Sequence, residues 1–182
     1  STGSYSAAFR YQREVAPKSP DVLFIEFAVN DYYDKLTYAQ SLRAAESVVR
    51  AAYEYNPFAE IVVILTADKW CRTEEYDCYR ALKNIAEAYD LMCIDIRKDF
   101  LAGLSDAEYA NYMCNSSDGV HPNDAGYAKY FELIREKLER DIILESPKTV
   151  EMKPKKLPAS NISSEPLMMN GDSVRPDVIQ LE

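Results

Sequence analysis

A single histidine in 182 residues leaves one candidate imidazole, His121, for any acid–base chemistry at neutral pH. No run of about twenty apolar residues occurs, which excludes a membrane-spanning helix. Cys71, Cys78, Cys93 and Cys114 contain no Cys-x-x-Cys pair, and with one histidine they make a poor zinc site. They read as free or buried thiols of a reducing compartment, with Cys71 and Cys78 able to pair only in a secreted form. The formal net charge of −9 disfavours nucleic acid and anionic membranes, and the only basic cluster is the short Lys153-Pro154-Lys155-Lys156. No Gly-rich phosphate loop is present. No signal-peptide pattern opens the sequence, and the compartment, cytoplasmic or secreted, stays open.

What the sequence does contain is regular. A hydrophobic content of 47% is ordinary for a folded domain, and residues 1–145 suffice for one compact core. Helix-period and strand-period segments alternate. Tyr5 to Val15 reads as a short helix stopped by Pro17 and Pro20, and Val22 to Ala28 as a strand. Thr37 with Gln40 forms a capping-box pattern ahead of a helix whose Tyr38, Leu42, Ala45, Val49 and Ala52 share a face, ended by Asn56-Pro57. Ile61 to Leu65 is a fully apolar strand. Thr73 is expected to cap a helix that buries Leu82, Ile85, Ala86 and Tyr89, before a strand over Leu91 to Ile94. Short helical pieces follow through Phe100, Leu101 and Leu104. The last helix is expected to turn Tyr127, Phe131, Ile134 and Leu138 to the core. Strands alternating with helices imply crossover connections and a parallel sheet covered on both faces, a three-layer α/β/α class. Residues 146–182, with Pro147, Pro154, Pro158, Pro166 and Pro176, read as a linker, an extended arm or a disordered tail.

Two segments carry chemistry. Asp118-Gly119-Val120-His121-Pro122 sets a carboxylate three positions before the only imidazole, with Gly119 to bend the chain and a helix start behind Pro122. A carboxylate on Nδ1–H fixes the tautomer and leaves Nε2 to accept a proton from a hydroxyl. The alternative is a surface or capping histidine. The second segment is Phe24-Ile25-Glu26-Phe27-Ala28-Val29-Asn30-Asp31, which places the Asn30 amide at the carboxyl end of a buried strand, where open α/β sheets hold ligands. A neutral amide can face a developing oxyanion; it can equally close an Asx turn. Glu26 within this strand must be paired or point to a polar layer.

Together these blocks resemble the SGNH (GDSL-type) hydrolase family, in which a strand leads to a Gly-x-Asn-Asp-like sequence and Asp-x-x-His-Pro follows near the domain end. Thr2-Gly3-Ser4-Tyr5 with Phe9-Arg10 is similar to the family's second block, which supplies a glycine N–H to the oxyanion hole. The resemblance covers residues 1–145 and implies a flavodoxin-like parallel sheet. It further implies a serine esterase in which His121 is the base, Asp118 orients it, and Asn30 with the Gly3 N–H binds the oxyanion. No metal or organic cofactor is implied, and the substrates would be small-molecule or carbohydrate esters. An appended β module is common in the family, and Leu157 to Glu182 looks like the approach to one.

Two departures stand out. Ala28 replaces a frequent glycine, and the Gly-Asp-Ser block with its preceding strand is not seen ahead of the others. The domain is therefore expected to lack its first strand and to take its nucleophile from outside this chain. Ser1 and Ser4 follow no strand and are not assigned. Gly171-Asp172-Ser173 is either a permuted first block, making Ser173 the nucleophile, or a chance triplet bracketed by Pro166 and Pro176. Two other readings remain: a non-catalytic fragment or binding module of the same fold, and a flavodoxin-like phosphoryl-binding domain using Asp31 and Asp34 with Mg²⁺. Tyr32 and Tyr33 beside these aspartates either form an ordinary loop or touch a sugar.

Overall fold

Five successive apolar residues, Ile61 to Leu65, have the composition of a strand covered on both faces. In the computed structural model, which describes residues 2–114, 118–140, 153–155, 157–160, 162 and 163, they lie in the middle of a parallel sheet. Its strands are β1 (Val22–Ile25), β2 (Glu60–Leu65) and β3 (Met92–Asp95), ordered β1-β2-β3. Val22 pairs with Glu60 and Ile25 with Val63, while Val62 pairs with Met92 and Leu65 with Asp95. The two-residue period sends Ile61, Val63 and Leu65 to one face and Val62 and Ile64 to the other.

The first face is closed by α1 (Ser4–Glu14), α3 (Tyr38–Tyr55) and α4 (Asp77–Ala88). The expected capping box begins α3: the Gln40 N–H donates to Thr37 Oγ1, and the Thr37 N–H donates to Gln40 Oε1 at 2.9 Å. Ala44, Ala45, Ala51 and Ala52 are buried on α3, and such small side chains allow close approach to α1 and α4. Both crossover helices, α3 and α4, lie on this face. On the second face Ile64, Met92 and Ile94 meet α7 (Asp124–Leu138) and the short α5 (Ile96–Asp99) and α6 (Asp106–Ala110). Layers above and below a parallel sheet are the α/β/α arrangement expected from the sequence.

Four local expectations need correction. The strand from Val22 stops at Ile25, and a six-residue helix, α2 (Ala28–Tyr33), carries Asn30 and Asp31. Nor is that strand buried: β1 is paired on one side only among the described residues, and Val22 and Phe24 are half-exposed. Thr73 does not cap α4, whose N-cap is Tyr76; the Tyr76 hydroxyl donates to the Thr66 carbonyl at 3.0 Å and so fixes where the helix begins. On α7, Ile134 and Leu138 pack inward with Tyr130 and Leu133, but Tyr127 and Phe131 do not: Phe131 is 65% exposed. The helix packs over β3, and its flank toward β1 overhangs an open groove.

The four cysteines are free thiols, so Cys71 and Cys78 are not paired. Burial pushes both up to about 12. Part of the proline-containing extension is described, and it lies along α3. The Lys155 N–H donates to the Pro57 carbonyl, Arg50 donates to the Pro158 carbonyl, and the Ile162 and Ser163 N–H groups donate to Glu46 at 2.8 and 2.9 Å. Burial pushes the Glu46 carboxyl up, but hydrogen bonds from Ser163 and Tyr89 outweigh it and hold the group below its ordinary value. Gly171-Asp172-Ser173 and most of Leu157 to Glu182 lie outside the described residues.

Candidate active site

The His121 loop is fixed from three sides. Gly119 has φ of +60°, a left-handed conformation that favours glycine, and a Cβ there would come within 3.2 Å of the Lys69 Cβ. Its carbonyl accepts the Lys69 N–H and the Tyr109 hydroxyl, each at 2.9 Å. Beyond His121, Pro122 bridges to Met113, and Asn123 caps α7 by accepting the Gly126 N–H at 3.0 Å. Asn123 Nδ2 also donates to the carbonyls of Asn111 and Met113. One residue thereby joins the helix start to the preceding turn.

Within this loop His121 Nδ1 lies 3.0 Å from both Asp118 oxygens. Asp118 Oδ1 further accepts the N–H groups of Val120 and His121. The His121 N–H, then the imidazole, hold the Asp118 carboxyl below its ordinary value. Since the carboxylate accepts from Nδ1, the proton is assigned to Nδ1 and the Nε2 lone pair points outward from a side chain that is 69% exposed.

The second block is assembled around Asp31. This wholly buried carboxylate accepts the Ser4 N–H at 2.7 Å, the Ser4 hydroxyl at 2.7 Å and the Ser41 hydroxyl at 2.6 Å, tying α1, α2 and α3 together. Burial nonetheless pushes it above its ordinary value, the serine bonds opposing. Both of its oxygens are turned inward onto these donors. Gly3 is the N-cap of α1, and a Cβ there would clash with Asp31 Oδ1 at 2.7 Å and Asp34 Oδ2 at 2.8 Å. Asn30 Nδ2 donates to the Thr2 carbonyl at 3.3 Å, so Gly3 and Asn30 are neighbours at the start of α1. Ser4, with its hydroxyl on Asp31, has a structural role.

Between these two blocks lies a groove of about 630 Å³, at the carboxyl end of the sheet and under the flank of α7. Asn30 and His121 both line it, with Glu26, Thr66, Tyr130 and Phe131. Glu26 accepts the Thr66 hydroxyl at 2.7 Å; burial pushes its carboxyl above the ordinary value, and the Asp31 charge adds to this. No serine is among the described residues lining the groove. A cavity of about 460 Å³ between α4, β3 and α7 involves none of the residues singled out from the motifs. Among the described residues no cluster of three His, Cys, Asp or Glu side chains could hold a metal ion, and no described helix is long and apolar enough to cross a membrane.

Thr66, Asp68 and Trp70 were not singled out from the sequence. Their signal was available: they follow the carboxyl end of β2, next to the strand whose own end leads to Asn30. Asp68 is wholly buried and accepts the N–H groups of Trp70 and Cys71 at 2.8 and 2.9 Å and the Tyr33 hydroxyl at 2.6 Å.

No curated protein matches the chain by sequence. Among solved structures, a two-domain esterase (CEX) active on acetylated mannans superposes with a TM-score of 0.66 at 22% identity, over 87% of this chain and 40% of that one. A protein described as a GDSL-like lipase from Parabacteroides merdae gives 0.64 at 20% identity, over 75% and 68%. An acetyl xylan esterase, AlAXEase, gives 0.62 at 21% identity, over 74% and 75%. The chain thus spans well under half the length of the two-domain esterase, and at these identities the likeness is one of fold. The GDSL-like Lipase/Acylhydrolase family model matches residues 2–129, most of the chain, and the chain belongs to that family.

Proposed function

We propose that this chain carries the acid–base and oxyanion-binding parts of a serine esterase acting on acetyl groups of a carbohydrate. The observation that carries the reading is the meeting of Asn30 and His121, distant in sequence, on one groove, with His121 already oriented by Asp118. The attacking hydroxyl belongs to a serine outside this chain. The open side of β1, with Val22 and Phe24 half-exposed, offers a further strand a place beside the groove.

Chemically, His121 Nε2 takes the serine proton as the serine oxygen bonds to the acyl carbon. The carbonyl oxygen becomes an oxyanion facing the Asn30 amide and the Gly3 N–H, both neutral donors that need no titration. Collapse breaks the ester C–O bond, and the imidazolium returns its proton to the leaving alkoxide. Water then repeats the sequence on the acyl-serine. Asp118 stabilises the imidazolium without taking its proton. The carbohydrate class is supported by the two structurally similar esterases, active on acetylated mannans and acetyl xylan.

His121→Ala in an intact protein containing this chain should lower p-nitrophenyl acetate turnover by about 10³-fold or more, as loss of a triad base does. Unchanged turnover would remove the reading and leave a binding module of the same fold.

A further inference from the structure

The chain's single tryptophan is one of its most exposed large side chains, at 61%. An indole left in water has usually something to meet. Trp70 is also held still. Its backbone N–H donates to the buried Asp68, which fixes the main chain, and its Cη2 lies 3.3 Å from where a Gly119 Cβ would stand, so the ring edge rests on the glycine of the His121 loop. The absence of a side chain at Gly119 is what admits the ring.

The exposed Tyr33 reaches the same carboxylate through its hydroxyl, and the exposed Tyr32 stands beside it. Tyr33 donates its hydroxyl to the other oxygen of Asp68, which fixes the phenol while leaving much of its ring in solvent. Tyr32 stands edge-on to Tyr33 at 5.5 Å and to Tyr76 at 5.5 Å. Tyr76 in turn donates to the carbonyl of Thr66, a groove residue. The rings are therefore continuous with the groove through Thr66 at one end and through the His121 loop at the other. Beside them in the chain stand the exposed polar residues Asp34, Lys35 and Lys69.

We propose that Trp70 and Tyr33 form a stacking platform for the pyranose rings of a neutral polysaccharide, setting which chain is presented to the His121 groove. This rests on the carbohydrate esterase reading and names its recognition surface. A pyranose offers an apolar C–H face ringed by hydroxyls, which matches flat rings in a polar surround; a protein helix would need a contiguous apolar stripe. The net charge of −9 selects against a polyanionic chain. Rings fixed before binding lose little freedom on contact, so each contributes more of its stacking energy.

Because Trp70 is the only tryptophan, its emission reports directly on the platform. The 182-residue chain is titrated with mannohexaose, xylohexaose and, as an anionic probe, hexagalacturonate. A saturable emission shift with at least one neutral hexaose and a weaker one with hexagalacturonate is expected. By calorimetry, Trp70→Ala should bind the neutral hexaose about tenfold more weakly, whereas Trp70→Phe, which keeps a flat ring, stays within about threefold. Thermal midpoints close to the parent's would show that both variants are folded. Emission unmoved by both neutral hexaoses, equal loss in both variants, undiminished affinity in Trp70→Ala, or equal binding of hexagalacturonate would each overturn the proposal. An intact protein containing the chain is assayed in parallel on p-nitrophenyl acetate. Trp70-dependent binding without hydrolysis keeps the platform and removes the esterase; hydrolysis with Trp70-independent binding does the reverse.

Discussion

The two faces of the sheet are made from one alternating sequence, yet they end differently. Ile61, Val63 and Leu65 are sealed under α1, α3 and α4, where Tyr79, Leu82 and Ile85 are almost wholly buried. On the other face, Val62 is buried but α7 leaves Tyr127 and Phe131 in solvent and a groove between them and Asn30. The closed face follows the usual rule that apolar area leaves water. The open face departs from it beside Asn30 and His121, as ligand sites do. The sealed core and the open groove thereby fall on opposite sides of three short strands.

Substitutions that separate the two faces test this division. Asn30→Ala, on the open side, should reduce ester turnover by an intact protein about 10²- to 10³-fold, the cost of one oxyanion donor, with little change in urea midpoint. A loss of folding instead would mean that Asn30 serves as scaffold through its Thr2 contact. On the closed side, Leu82→Ala should destabilise by about 2–5 kcal/mol from lost burial and a cavity, measured by urea unfolding. The exposed Phe131→Ala should change stability by only about 0.5 kcal/mol. Similar values for the two would erase the contrast.

The smallest effect concerns Glu26 and pH. Burial raises its carboxyl in the folded state, so the folded chain disfavours the ionised form. Its contribution to stability is fully present below the ordinary carboxylate range and is lost as pH rises through the raised value. Glu26→Gln keeps an acceptor for the Thr66 hydroxyl and cannot ionise. Its thermal midpoint should exceed the parent's near pH 8 and match it near pH 4. A midpoint below the parent's near pH 8 would show that the carboxylate is stabilised by contacts stronger than its burial cost.

Much of this division was legible in the sequence, for reasons particular to each segment. The capping box at Thr37 and the unbroken run to Leu65 are local signals, and α3 and β2 appear where those signals put them. Asp118 and His121 lie three positions apart, so their contact follows from one turn. Other features depend on partners far along the chain. The helix α2 spans six residues, too few for a helical period to show against the apolar run before it. Tyr76 displaced Thr73 as the start of α4 through a bond to Thr66. Periodicity put Tyr127 and Phe131 on a common stripe with Ile134, but periodicity does not state what covers a stripe. The Trp70 backbone and the Tyr33 hydroxyl share Asp68, a residue whose neighbours could not be read from its position.

The Asp31 carboxylate ties α2 to helices of the closed face. By gripping Ser4 and Ser41 at once, it makes the beginnings of α1 and α3 and the body of α2 a single gauge block. Gly3 and Asn30 both sit on that block, so the spacing between them is machined when the chain folds. Tolerance at this point is a matter of two serine hydroxyls: losing either one would loosen the spacing of Gly3 and Asn30 without altering either residue.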